Sequence, residues 1–225
     1  QIWGKGFTLY GLLDDRVSNQ EKPDLAIVGI HHTANNQDAL LCETLDALNK
    51  QNIKTYVVDG WDRPHICDGA ITLSDKYFKR ELDPNTRSIG KEVFPISFAI
   101  PEQHIIDPDE RYYKAKGFAE MIPAMQSWGD HPHLKSYKYT SEKEYYQDYQ
   151  HSYFAYTGCK AGWSCLRHYE IIANGCIPWF TDIEKCPKTI LTTFPKNVCI
   201  NAKKIRGTNP GTTVPYNPDI DTYLG

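Results

Sequence analysis

Ser152-Tyr-Phe-Ala-Tyr-Thr-Gly-Cys-Lys-Ala-Gly-Trp-Ser-Cys-Leu-Arg-His-Tyr-Glu-Ile-Ile-Ala-Asn-Gly-Cys-Ile-Pro-Trp-Phe180 is the stretch from which the fold class follows. Its start, residues 152–157, is aromatic-rich and ends at a glycine, which predicts a strand. Residues 158–162 form a glycine-bearing loop. Residues 162–174 predict a helix with Leu166, Tyr169, Ile172 and Ala173 on its apolar face. Gly175 fits the left-handed residue that closes a helix. Residues 176–180 predict the next strand. Strand, loop, helix, cap and strand in immediate succession make a βαβ unit, whose strands run parallel.

The same stretch carries candidate chemistry. A helix that opens after a glycine loop presents unpaired N–H groups and the positive end of its dipole, a setting suited to a diphosphate. Lys160 and Arg167 add positive charge there. Glu170 lies three residues beyond Arg167 on one helix face. A carboxylate just past a phosphate site can accept hydrogen bonds from ribose hydroxyls. Residues 157–162 and Thr181-Asp182 both fall at the carboxyl ends of strands, where open α/β sheets bind ligands. A plainer alternative stands beside this one: Arg167 and Glu170 as a solvated pair, and Gly175 as a cap only.

Arg167-His-Tyr-Glu-Ile-Ile-Ala-Asn-Gly-Cys-Ile-Pro178 resembles the Arg-x-x-Glu-Ala-x-x-x-Gly-Cys-Ile-Pro signature of exostosin-like glycosyltransferases, with Ile171 where that signature has Ala. The wider class of GT-B glycosyltransferases has a similar Glu followed by Gly-x-Pro in its donor half. Glycosyltransferase-like proteins of large DNA viruses and microbes are similar over more of the chain. Gly6-Phe-Thr-Leu-Tyr10, Asp59-Gly-Trp-Asp62, Tyr77-Phe-Lys-Arg-Glu81 and Phe94-Pro-Ile-Ser-Phe98 carry that resemblance. It implies two Rossmann-like halves of a GT-B-like α/β fold. Residues 1–88 would be the acceptor-side half, incomplete because a strand is expected before Gln1. Residues 89–225 would bind the nucleotide sugar through Lys160, Gly162, Trp163, Arg167, Glu170 and Gly175. The implied activity is metal-independent transfer of a hexosyl or pentosyl group to a glycan or other glycoconjugate acceptor. It needs no cofactor beyond the nucleotide-sugar co-substrate. The other reading is a non-catalytic sugar- or nucleotide-binding module of a larger protein.

Towards the N-terminus the pattern repeats. Residues 24–30 are a short apolar run of the buried-strand kind. Asn35 and Asn36 can cap a helix over residues 37–50, in which Leu41, Leu45 and Leu48 recur at helical spacing. Residues 53–58 predict a second strand, closed by Asp59-Gly60. Residues 70–73 read as a short strand. Residues 83–86 are a turn, and a boundary between halves is expected near residues 84–92. Val93 to Ile100 is apolar but holds Pro95, which suits a sheet edge. Residues 101–138 carry many Pro, His and Asp and give no clear element. Ser141-Glu-Lys-Glu144 fits a capping box opening a helix to about residue 150. Residues 198–200 read as a last strand.

Further site candidates follow the strand ends. His31, after the first strand, is placed where a general base could sit, although tandem histidines in a loop are often incidental. Asp59 and Asp62 end the second strand as candidate acceptor-side carboxylates or simple turn formers. Lys79 and Arg80 could reach donor phosphates, or belong to a solvated helix face. Asp107-Pro-Asp109 and Asp219-Ile-Asp221 match a two-carboxylate metal pattern, and His131-Pro-His133 is a weaker one; all are cheap patterns in turn-like segments, and no metal is expected.

The 225 residues carry a formal charge of −3, with 40% hydrophobic and 24% charged side chains. That balance suits a globular protein and leaves no nucleic-acid footprint. No apolar run approaches the ~20 residues of a membrane helix. Seven cysteines without a Cys-x-x-Cys pair argue for buried thiols and a reducing, cytoplasmic setting. The chain opens on Gln rather than Met, as expected of an excerpt from a longer protein, virus-encoded or microbial by the resemblance above. There is no Gly-x-Gly-x-x-Gly, no P-loop and no nucleophile elbow.

Overall fold

The computed structural model describes residues 23–30, 37–85, 90–107, 112–120 and 139–205. The chain divides into two compact units, Gln1–Ile96 and Ser97–Gly225. Each is a mixed α/β unit with its own parallel sheet.

In the first unit the order is β1 (Leu25–Ile30), α1 (Gln37–Lys50), β2 (Lys54–Asp59), α2 (Asp68–Leu73), β3 (Lys76–Lys79) and β4 (Val93–Pro95). The four strands lie side by side in sequence order, all parallel. Consecutive right-handed crossovers in one direction put their helices on one face, and α1 packs on α2. That face buries Leu45, Val57, Ile66, Ala70, Ile71 and Tyr77. The opposite face carries Leu25, Ile27, Tyr56, Phe78 and Phe94 by alternation along the registered strands. There Ile27 is 68% exposed. Helix α1 stops at Asn52, which takes the left-handed φ of 56° that Asn tolerates. Pro95 ends edge strand β4, where its missing N–H costs least. Strand β4 hydrogen-bonds to β3, so the first unit runs on to Ile96.

Two expectations fail here. Residues 70–73 are the end of helix α2, not a strand, with Ala70 and Ile71 buried. A short apolar run cannot separate a buried strand from a buried helix turn. Lys79 and Arg80 are on no helix face: Lys79 ends strand β3, and both are buried.

The second unit contains a 3₁₀ turn (Glu102–His104), β5 (Lys116–Phe118), α3 (Glu142–Gln150), β6 (Ser152–Thr157), α4 (Leu166–Ala173), β7 (Ile177–Phe180), a second 3₁₀ turn (Ile183–Lys185) and α5 (Lys196–Ala202). Its parallel sheet has the order β5-β6-β7. Under α3 and α4 lie Tyr149, Ala155, Ile171 and Cys176. The other face stacks Phe118 on Tyr156 at 4.4 Å and closes over Phe154, Trp179 and Ala202 of α5. Ser141 caps α3, its Oγ accepting from the Glu144 N–H at 3.2 Å. The Glu144 carboxylate closes on the Thr140 N–H instead of on Ser141, one residue off the expected box. Helix α4 ends in a Schellman motif. The Cys176 N–H reaches the Ile171 carbonyl at 3.1 Å and the Gly175 N–H the Ile172 carbonyl at 2.9 Å, with Gly175 at φ +64°.

Three features differ from the sequence reading. Helix α4 begins at Leu166, not residue 162, and turns His168, Ile171 and Ala173 inward while Leu166 and Ile172 are 40% and 37% exposed. A polar His at the centre of the buried stripe misled the periodicity. Residues 198–200 are helical within α5, with Cys199 and Ala202 buried one turn apart; Pro195, just before, suits a helix start. Strand β5 was not anticipated in its Pro- and His-rich surroundings. No described helix is long and apolar enough to cross a membrane.

Candidate functional site

The carboxyl edge of the second sheet is built around one histidine. Strand β6 ends at Thr157, and the Thr181 N–H after β7 donates to the Thr157 carbonyl at 3.2 Å. His168, 1% exposed on α4, reaches the Thr157 Oγ1 at 2.7 Å with Nδ1 and the Trp163 carbonyl at 2.9 Å with Nε2. A carbonyl only accepts, so Nε2 carries the proton and Nδ1 accepts from the Thr157 hydroxyl. Burial pushes the His168 pKa down to about 4, against the Trp163 hydrogen bond and aided by the Arg167 charge. The imidazole is therefore a neutral strut that ties the loop 158–165 to both strand and helix.

On that loop, Lys160 is exposed, and its N–H donates to the Gly162 carbonyl at 3.3 Å. The Cys159 N–H lies 3.5 Å from an Asp182 carboxylate oxygen, which also accepts from the Thr181 hydroxyl at 3.2 Å. Cys165, the residue before α4, gives the helix no side-chain cap. Trp163 stacks on Phe180, centroids 6.3 Å apart and 23° between planes, beside the apolar cluster around Phe194.

Glu170, one turn into α4, faces α3. Its carboxylate accepts from the Tyr145 hydroxyl at 2.8 Å and lies 3.5 Å from that of Tyr146. Tyr149 donates in turn to Tyr145 at 3.0 Å. Burial first, and then the Glu170 charge in the case of Tyr146, raises the pKa of these tyrosines, so they stay protonated donors. The positive charge of Arg167 acts on Tyr145, Tyr149 and His168. Arg167 and Glu170 thus share a tyrosine-lined cluster rather than a solvated surface. The three tyrosines were missed by the sequence reading, although their spacing in Tyr145-Tyr-Gln-Asp-Tyr149 puts two of them one helical turn apart. Gly175 lies at the far end of α4. A Cβ there would meet the Ile106 Cδ1 at 2.7 Å, and the Lys114 ammonium donates to its carbonyl at 2.7 Å. Its position is that of a cap.

At the carboxyl edge of the first sheet, Asp59 and Lys79 end neighbouring strands. Lys79 is 0% exposed and its Nζ donates to Asp59 at 2.9 Å. The Tyr77 hydroxyl donates to the other Asp59 oxygen at 2.6 Å, and the Trp61 N–H to the first at 2.9 Å. Burial, opposed by Asp59, lowers the Lys79 pKa. Arg80 donates from Nε to the Gly60 carbonyl at 3.0 Å and pairs with Asp62. Asp59, Lys79 and Arg80 are brought together, but as the frame of the turn 59–62. Beside this frame opens a cavity of about 540 Å³ lined by Arg63, Pro64, His65, Ile66, Asp68, Asp83 and Asn85. His65 sits edge-on to Trp61 at 5.6 Å. It is a histidine at this edge that the sequence reading passed over, in a loop leaving a strand's carboxyl end, where such residues carry function. His31 lies outside the described residues.

All seven cysteines are free. Among the described residues no group of three or more His, Cys, Asp or Glu is gathered as a metal site; Asp109, His131, His133, Asp219 and Asp221 lie outside them. Compared with known proteins, the chain matches no family model, no curated protein and no solved structure.

Proposed function

We propose that the chain is a sugar-nucleotide-dependent glycosyltransferase of GT-B type whose donor diphosphate binds over the loop 158–165. The observation that carries this is the loop itself. It stands at the carboxyl ends of parallel strands, is pinned by neutral His168, bears the exposed Lys160 and leads into the uncapped start of α4. Backbone N–H groups at such a helix start, together with Lys160, stabilise the negative charge that grows on a departing nucleoside diphosphate. Glu170 would meet the ribose hydroxyls with the lone pairs its tyrosines leave; a carboxylate has about four acceptor sites. His65 and Asp62, at the edge of the first sheet, are the acceptor-side candidates from that unit. No step assigned here needs a metal ion.

The engagement of Glu170 by Tyr145 and Tyr146 favours one second reading, a nucleotide-sugar-binding module without turnover. Incubation with a panel of nucleotide sugars, with and without glycan acceptors, separates the two. The transferase reading expects release of nucleoside diphosphate that rises with acceptor. Binding without release supports the module, and neither binding nor release overturns both.

A further inference from the structure

A second cavity lies in the 97–225 unit. It is a trough of about 410 Å³ lined by His104, Tyr112, Glu142, Lys143, Tyr146, Gln147 and Gln150. Five of these belong to α3. Lys143, Tyr146, Gln147 and Gln150 fall on one stripe of that helix by their three- and four-residue spacing. We propose that this trough binds a neutral oligosaccharide.

The side chains are held ready. His104 packs edge-on to Tyr146 with centroids 5.7 Å apart, and Tyr112 packs on His151 at 6.0 Å. The Tyr146 hydroxyl lies 3.2 Å from a Glu142 oxygen and 3.5 Å from a Glu170 oxygen. Gln150 donates from its amide nitrogen to the Asn174 side-chain oxygen at 2.9 Å, which leaves its amide oxygen as an acceptor. The side chains of Lys143 and Gln147, both exposed, hydrogen-bond to no described residue.

A sugar ring offers an apolar C–H face and a rim of hydroxyls that donate and accept together. Aromatic side chains with a polar tip suit the first. A carboxylate, two amides and an ammonium in one concavity suit the second. The single carboxylate and single ammonium cancel, so the trough offers no net charge to a phosphate or an anionic glycan. Apart from Tyr146, which also reaches Glu170, the trough's residues have no part in the proposed donor site, so its binding of saccharide does not depend on transfer.

The test is calorimetric titration of the intact chain with neutral oligosaccharides of several linkages, an anionic oligosaccharide and an unrelated soluble peptide. Gln147→Ala and Tyr112→Ala are titrated in parallel, with thermal unfolding as a check. We expect a neutral oligosaccharide to bind, and each variant to weaken it by about three- to tenfold without shifting unfolding. Nucleotide-sugar affinity should be the same for Gln147→Ala and the parent, which distinguishes this trough from the donor loop. Binding of none of the neutral sugars, preference for the anionic sugar or the peptide, or affinities untouched by both variants overturns the proposal.

Discussion

His168 is a charged residue type used as an uncharged one. Its free pKa is about 6.5, and in the fold burial brings it to about 4. The folded state thus binds fewer protons than the unfolded state between those values. Its contribution is complete above pH ~6.5 and is lost as pH falls toward ~4, by up to about 3 kcal/mol. Chemical denaturation at pH 7, 5.5 and 4.5 should show that decline, and it should flatten in His168→Gln. Thr157→Val leaves Nδ1 without its donor and should cost about 1–3 kcal/mol at pH 7. Lys79 answers to the same logic in the first unit. It is fully enclosed with Asp59, so Lys79→Met strands a buried carboxylate and should cost about 3–5 kcal/mol by urea unfolding. A solvated lysine would cost almost nothing on removal. The sequence marked Asp59 at a strand end and, separately, Lys79 and Arg80 as phosphate contacts or a helix face. It could not show that they satisfy one another, since the register that places Asp59 beside Lys79 is a tertiary fact. Tyr145 and Tyr149 showed their one-turn spacing in the sequence, but not that Glu170 of the next helix would meet Tyr145, to which Tyr149 donates.

Elements with two independent signals were read correctly. Helix α1 has its leucine spacing and a stop at Gln51-Asn52. Strands β6 and β7 have β-rich composition and glycine punctuation on either side of α4. Residues 70–73 and 198–200 had composition alone, and in both a short apolar run proved to be a helix turn. Strand β5 has three residues, too few for any period to register. Helix α4 was found, but its start and its inward face were displaced by the loop that His168 holds. Gly175 was legible because the left-handed cap has a residue preference of its own. Gly175→Ala combines a positive φ with a Cβ that meets the Ile106 Cδ1 at 2.7 Å. It should lower stability by more than about 1 kcal/mol, seen as a reduced thermal midpoint.

At the scale of the whole molecule, the sequence carried the mixed α/β class through its repeated strand–helix–strand grammar. The first unit gathers α1 and α2 on one face, leaving Leu25 and Ile27 on the other at 41% and 68% exposure. Nothing in the local sequence of β1 distinguishes such a face from a covered one. Asp59 and Lys79 in the first unit and the loop bearing Lys160 in the second lie at the carboxyl edge of a parallel sheet, in keeping with the rule for open α/β sheets. The central claim, that a nucleotide-sugar diphosphate binds over the loop 158–165, is tested most directly through Lys160. Its side chain is exposed and supports no packing, so a change there reads binding and not folding. Calorimetric titration of a nucleotide-sugar panel into the parent chain and Lys160→Ala is the measurement. The account predicts that at least one nucleotide sugar binds, and that Lys160→Ala weakens it by about 10- to 150-fold, the worth of a charged hydrogen bond, with unfolding unchanged. No binding by any member of the panel, or equal affinity for the two proteins, would contradict it.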